Sequence, residues 1–330
     1  MKGYKVTALV CWTFVALLLV WLLVTGLLGK GLFAPGRPLA GMRDFSRDQG
    51  EGSSLINGQI SDGETSVSEP VSEIVVDWVS GNVVVHSYAG SEVKWEERAA
   101  KTLSDRQKLR YEVKGGRLTI QAYPDWSWNI FGFAGNQPRK DLELWVPASV
   151  ELDELLVNSA SAKIDVEGVA ARDVEIDTAS GDITAQDVKA TQMTMGSASG
   201  KLELAGCTVE ELSLNSVSGS VTAQGAFEEV NVENVSGSVQ VHSEAMLKDL
   251  NVDTVSGSIT IAIPENKGFT LEHTKISGGL NSDFALNFRD DEYSYGNGDA
   301  DFVVNSVSGS LHLKRIEDGT TGTGRGERND

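Results

Sequence analysis

Two cysteines in 330 residues, Cys11 and Cys207, are too few and too differently placed to suggest a disulfide framework. Cys11 lies in an apolar run and Cys207 inside a repeated unit, where a small buried thiol is the default. Histidine is scarce too, with four copies. His86, His242 and His312 fall in separate alternating runs, and no His/Cys pair has zinc spacing. His273 stands where related units carry an aliphatic residue, so a satisfied core side chain is expected there. Basic residues are outnumbered, 28 Lys and Arg against 47 Asp and Glu, for a formal net charge of −19. Nucleic acid is thereby excluded as a partner, because phosphate neutralisation needs clustered Lys and Arg. Docking on anionic headgroups is equally disfavoured.

What the chain has in quantity is glycine, 35 residues, and much of it recurs in one motif. Ser216-Val217-Ser218-Gly219-Ser220-Val221 returns as residues 234–239, 254–259 and 306–311, with looser copies at 159–164, 178–183, 197–202 and 78–83. Counted from the glycine (or Ala162), the positions are 162, 181, 200, 219, 237, 257, 278 and 309, in steps of 19, 19, 19, 18, 20, 21 and 31. A period near 20 means a solenoid whose coils bury their apolar faces against one another. Two residues after each glycine stands an aliphatic side chain, and apolar pairs such as Leu212/Leu214 and Val230/Val232 precede the motif. Alternation with period two is strand rather than helix. The fold expected is all-β, a parallel β-solenoid. Gly81, Gly181, Gly200, Gly219, Gly237, Gly257, Gly278 and Gly309 mark its corners, where positive φ or close backbone approach is needed.

Two residues before the motif serine come Ser159, Thr178, Ser197, Ser216, Asn234, Thr254 and Ser306. Their parity points them inward. They read as a structural polar ladder, each paired with the coil above and below. No neighbouring histidine is placed to activate a hydroxyl. Gly196-Ser197-Ala198-Ser199-Gly200-Lys201 superficially resembles a phosphate loop, but it is one residue short and sits in a repeat column. Asp165, Asp177, Asp182 and Asp187 are scattered acids without a basic partner in their coils, so a polysaccharide-active β-helix enzyme is the lesser alternative. No catalytic residue, cofactor or metal is expected.

In chain order, residues 1–6 are a short basic tail and residues 7–28 an uncharged apolar run long enough to cross a bilayer as one helix. No cleavage site follows it, so an uncleaved anchor is expected. Lys2 and Lys5 precede the run while Lys30, Arg37, Arg43 and Arg47 follow it, and this count alone does not favour an outward C-terminus. Residues 29–72 read as a flexible spacer. Residues 73–147 form an irregular β section closing one solenoid end, with a hairpin at Gly115-Gly116. Residues 148–316 are the regular coils and 317–330 a disordered tail. Aromatic residues are only 7% of the chain, yet Trp126, Trp128, Phe131 and Phe133 crowd into one segment. They are either a plug for the solenoid end or a partner-contact loop. Residues 281–300, with Asp283, Asp290, Asp291, Glu292 and Asp299, lack calcium-loop spacing and read as a solvated acidic insertion.

With Val79-Ser80-Gly81-Asn82-Val83, Thr178-Ala179-Ser180-Gly181-Asp182-Ile183 and the later Val-Ser-Gly-Ser copies in view, residues 72–316 resemble the bacterial β-strand-repeat proteins labelled putative adhesins, a domain of unknown function. The resemblance implies a membrane-anchored envelope protein, single-pass, with the solenoid outside the cytoplasm. Its partners would be the membrane through the N-terminal helix, and cell-wall glycan or an envelope protein through the solenoid. A binding or scaffold module follows, adhesin-like or associated with envelope stress. A self-assembling solenoid is a further alternative.

Overall fold

The computed structural model describes residues 55, 58–61, 63–123 and 138–316. Among these no helix is long and apolar enough to cross a membrane. The expected anchor at 7–28, the tail at 317–330 and the aromatic side chains Trp126, Trp128, Phe131 and Phe133 all lie outside the described residues.

The first strands are β1 (Gln59–Ile60), β2 (Glu64–Val67), β3 (Glu73–Tyr88), β4 (Val93–Ala99), β5 (Arg110–Lys114), β6 (Arg117–Gln121) and β7 (Lys140–Pro147). The regular coils follow as β8 (Glu151–Glu167), β9 (Ala170–Thr178), β10 (Ile183–Gln186), β11 (Lys189–Ser197), β12 (Leu202–Ser218) and β13 (Val221–Ser236). They continue as β14 (Val239–Ser243), β15 (Asp249–Ser256) and β16 (Ile259–Pro264). Like pairs with like, in parallel and in register. Leu212 lies beside Met193 and Val230, and past the corner Val221 lies beside Leu202 and Val239. The residues before and after each corner alternate buried and outward, so the two ladders share one apolar core. The parallel β-solenoid is confirmed.

The corner glycines divide into two kinds. At Gly81, Gly237, Gly257, Gly278 and Gly309 φ is positive, whereas Gly181, Gly200 and Gly219 are not in that region. Close approach is what Gly219 requires, since a Cβ there would stand 1.9 Å from the Gly200 carbonyl oxygen. The polar ladder is buried as expected, its seven members at 6% exposure or less. Its bonding differs from expectation. Ser197 donates to the Gly181 carbonyl at 3.1 Å and Asn234 to the Gly219 carbonyl at 3.0 Å, while Ser159 Oγ accepts from Ala162 N at 2.9 Å. The hydroxyls of Thr178, Ser216, Thr254 and Ser306 have no partner. Elsewhere in-register side chains do bond each other, as Asn251 donates to Asn231 at 2.8 Å, but the ladder members have the corner carbonyls and N–H groups within reach. Ser159, Ser197 and Asn234 bond that backbone instead.

At both ends the stacking order departs from chain order. The last strands are β17 (Gly268–Ser277), β18 (Leu280–Ser282), β19 (Asn287–Arg289), β20 (Glu292–Gly296), β21 (Ala300–Ser308) and β22 (Leu311–Ile316). The β21–β22 coil inserts between β15–β16 and β17–β18, which makes β17–β18 the outermost. The long step from Gly278 to Gly309 is the path of that return. The supposed acidic loop 281–300 contains the β19–β20 hairpin, with Asp290 and Asp291 at positive φ and β20 antiparallel to β17. Its Phe284 and Tyr295 pack on Phe269, which stacks on Phe302. At the other end β6–β7 lies under β3, although it follows β3 in the chain. Beneath it, β5 and β4 run antiparallel to β6 and β7, and β1 and β2 continue outward from them. The spacer reading therefore fails for its last residues, because β1, β2, Leu55 and Val71 belong to the folded unit. The Gly115-Gly116 hairpin is present, both residues at positive φ.

Candidate functional site

The residues that flank the aromatic segment, Tyr123 and Pro138, are described, and buried polar groups gather beside them. β6 sets Gln121 beside Asp77 and β7 sets Leu142 beside Val83, on either side of β3's own corner at 78–82. Tyr123, 5% exposed, donates its hydroxyl to the Pro138 carbonyl at 3.0 Å and ties the two ends of the segment together. Lys140 is 1% exposed. Its ammonium pairs with Glu97 at 2.7 Å and donates to the Gln107 carbonyl at 2.7 Å and to the Ala122 carbonyl. The rings of Tyr123 and Trp78 lie 3.9 and 5.2 Å from the same nitrogen.

Trp78 occupies the ladder position of its coil, and its indole donates to the Lys140 carbonyl at 3.0 Å. Both Glu97 oxygens also accept from Leu109 N at 3.1 Å. Burial pulls the Lys140 pKa down to about 8, against the pull of Glu97 and with help from the Arg110 charge. Burial, with Glu97 adding to it, pushes Tyr123 up to about 12. A lysine with a lowered pKa is a candidate nucleophile in an open site. This one is enclosed and bonded on several sides, so it acts as a clamp on the segment's root. Sequence reasoning missed it. Arg139-Lys140-Asp141 has the look of an ordinary surface run, and its centre is buried because Glu97, Gln107 and Ala122 meet around it.

Beside this root, on the outward side of β3, β4 and β7, a cleft of about 190 Å³ is lined by Asn82, Val84, Arg98, Asp141, Leu142 and Glu143. Its polar groups pair with each other. Arg98 meets Glu143 at 2.6 Å, and Asp141 accepts from Asn82 N at 2.8 Å and Nδ2 at 3.0 Å. The volume is below the roughly 300 Å³ of a small-molecule pocket. Along the coils Asp165 does have a basic partner, Lys163 at 2.8 Å, contrary to expectation. Burial raises Glu175, and burial together with the Glu175 charge raises Asp177 to about 8. Among the described residues no cluster of three or more His, Cys, Asp and Glu could hold a metal. Cys207 is buried, which pushes its thiol up and leaves it unreactive. His273 is not the satisfied core residue expected, since both ring nitrogens lack partners and burial lowers its pKa. The acids of 281–300 are engaged separately. Asp283 accepts from Arg315 N at 3.2 Å and Asp299 from Asn297 at 2.6 Å.

No curated protein matches the chain. Among solved structures it is similar to a putative lipid binding protein from Parabacteroides distasonis, 16% identical over 78% of this chain and 98% of that one, TM-score 0.46. It is also similar to a putative cell adhesion protein from Clostridium sporogenes, 13% identical over 78% and 100%, TM-score 0.31. A putative adhesin from Bacteroides fragilis is 12% identical over 78% and 99%, TM-score 0.34. The family model described as Toastrack DUF4097 matches residues 71–317. With most of its length inside that match and a repeat in every coil, this chain belongs to the Toastrack DUF4097 family.

Proposed function

We propose that the chain is a non-enzymatic binding module of the bacterial envelope. Residues 7–28 anchor it, the solenoid stands outside the cytoplasm, and the aromatic segment around Trp126, Trp128, Phe131 and Phe133 is its contact surface for cell-wall glycan. One observation carries the choice of contact loop over plug. The solenoid's N-terminal end is already closed by β4 and β5 across both strands of the β6–β7 level. The rings are therefore not needed for capping, while the clamp at Lys140 and Tyr123 holds the base of the segment in one place. Flat apolar faces edged by polar groups suit sugar rings, whose C–H faces pack against them.

The test is Trp126→Ser with Trp128→Ser, measured as thermal unfolding and as co-sedimentation with purified cell-wall glycan. The reading expects an unchanged melt and lost sedimentation. A melt lowered by the ~3–5 kcal/mol per ring expected of buried aromatics would return the segment to the role of plug. Unchanged sedimentation would remove glycan as its ligand. Protease treatment of intact cells tests the location. Cleavage within residues 73–316 is expected, and full protection until lysis would put the solenoid in the cytoplasm.

A further inference from the structure

The two ends of the stack are finished differently. At the N-terminal end both strands of the last level are covered by antiparallel neighbours. At the C-terminal end β20 covers only Gly268–Leu271 of β17. Beyond that point β17 and β18 pair on their inner side alone, with β21 and β22, among the described residues.

The repeat shows which backbone groups are thereby left over. At the four corners that lead to this end the glycine N–H donates outward to the next level's serine carbonyl: Gly219 to Ser236, Gly237 to Ser256, Gly257 to Ser308 and Gly309 to Ser277. Two residues on, Val221, Val239, Ile259 and Leu311 donate outward to Ser238, Ser258, Ser310 and Gly279. Continued by one level, the same rule points the Gly278 and Leu280 N–H groups outward, where no described coil receives them. Unpaired strand edges of this kind recruit other strands.

Three further features mark this edge. Its corner is Gly278-Gly279, whereas the other coils follow the corner residue with a side chain such as Asn82, Lys163, Lys201 or Ser220. Bare backbone permits close approach by another backbone. The two most exposed large apolar side chains among the described residues, Ile276 at 68% and Phe288 at 60%, both belong to this end. Of the inward columns, the one that is aliphatic in the inner coils here carries His273 beside Val304, and the one of small polar residues carries Lys275 beside Ser306. The level is therefore not finished as an ordinary coil surface.

We propose that this edge is a homodimer interface, occupied by the same edge of a second copy of the chain. Only a partner that turns the same corner can pair with β17 and β18 together, and on the neighbouring level the corner takes no side chain, since a Cβ at Gly309 would lie 1.9 Å from the Gly257 oxygen. A second copy brings the required bend and its own Gly278-Gly279. A two-fold axis through the corner sets β17 antiparallel to the partner's β18, and the reverse. Keeping inward residues opposite inward residues places the axis between Ser277 and Gly278, with Lys275 opposite the partner's Leu280 and His273 opposite the partner's Ser282. The contact is isologous and closes as a dimer. A head-to-tail filament is disfavoured by the antiparallel strands closing the opposite end. This inference is independent of the ligand of the aromatic segment.

The test is sedimentation equilibrium of the full chain in density-matched detergent, with hydrogen exchange read at the Gly278 and Leu280 amides. Ile276→Lys is the edge variant, chosen because the side chain is exposed and supports no core contact. The expected result is a dimeric wild type, a monomeric variant, and at least tenfold faster exchange at both amides in the variant. A monomeric wild type at tens of micromolar overturns the proposal. So does a dimer that survives Ile276→Lys with unaltered exchange, which would place self-association elsewhere, for instance in residues 7–28. If the variant does not fold, protection of the two amides in the wild type, lost on dilution, decides the matter alone. Their rapid exchange at every concentration is the refuting result.

Discussion

Replacing Lys140 by Met tests the clamp most directly. The side chain has nearly the right length and keeps its packing against Trp78 and Tyr123, but it leaves the Glu97 carboxylate, 6% exposed, without its cation. Breaking a buried pair by removing one partner typically costs about 3–5 kcal/mol, since the remaining charge is stranded away from water. For a folded unit of this size, each kcal/mol moves the melting temperature by roughly 2–4 °C, so a loss on the order of 10 °C is expected. Adding Glu97→Gln should restore more than half of it, because the stranded charge is gone and Leu109 N keeps an acceptor.

The pH dependence provides a second, opposite signature. With a folded pKa of about 8 against an ordinary 10.5, Lys140 binds its proton less well in the folded chain than in the unfolded one. Stability contributed by this group therefore rises as pH climbs from 8 toward 10.5, by about 3 kcal/mol if the whole interval is traversed. Tyr123 acts against this above pH 10. Its pKa of about 12 means that the unfolded chain ionises first, so its contribution falls through that range. Subtracting the Lys140→Met melting curve from that of the wild type, pH by pH, isolates the lysine. The wild-type advantage should grow between pH 8 and 10. A single variant melting within ~2 °C of wild type, or an advantage flat across that window, would refute the buried charged clamp.

The repeat supports three further expectations. Gly219→Val should cost roughly 3 kcal/mol or more, since its Cβ would lie 1.9 Å from the Gly200 oxygen, while exposed Ser218→Ala should stay within about 0.5 kcal/mol in the same urea titrations. In the polar ladder, Ser197→Ala removes a made bond and should cost about 1 kcal/mol, whereas Thr178→Val removes an unpartnered hydroxyl and should be neutral or stabilising; equal losses would contradict the bonding described. His273→Leu should raise the melting temperature, and more so below pH 6.5. Burial and Lys275 lower the histidine's pKa, so the unfolded wild type gains protons first and is favoured as pH falls. A smaller gap at pH 5 than at pH 8 would reverse that sign.

How far the residues alone lead depends on whether a feature repeats. Each coil votes again on the strand parity, the corner and the inward ladder, so a twofold period and a fixed glycine were sufficient to find them. Single events had no such vote. The insertion of β21–β22 between earlier coils left only a long step between Gly278 and Gly309, because coils with equivalent columns can stack in either order. The hairpin inside that step did announce itself, through Phe284, Leu286 and Phe288 alternating before Asp290-Asp291 and Tyr293 and Tyr295 after it. The count of acids overshadowed that pattern, although the apolar alternation is what fixes a strand. The polar ladder failed on the choice of partner, since sequence gives parity but not which acceptor an inward side chain meets at the corner. Lys140 was hidden for a different reason. Its burial depends on Glu97, Gln107 and Ala122 from three separate segments meeting around one ammonium. A solenoid states its columns many times and its ends once. The ends are where this chain places its clamp and its open edge, and they must be read from coordinates rather than from the period.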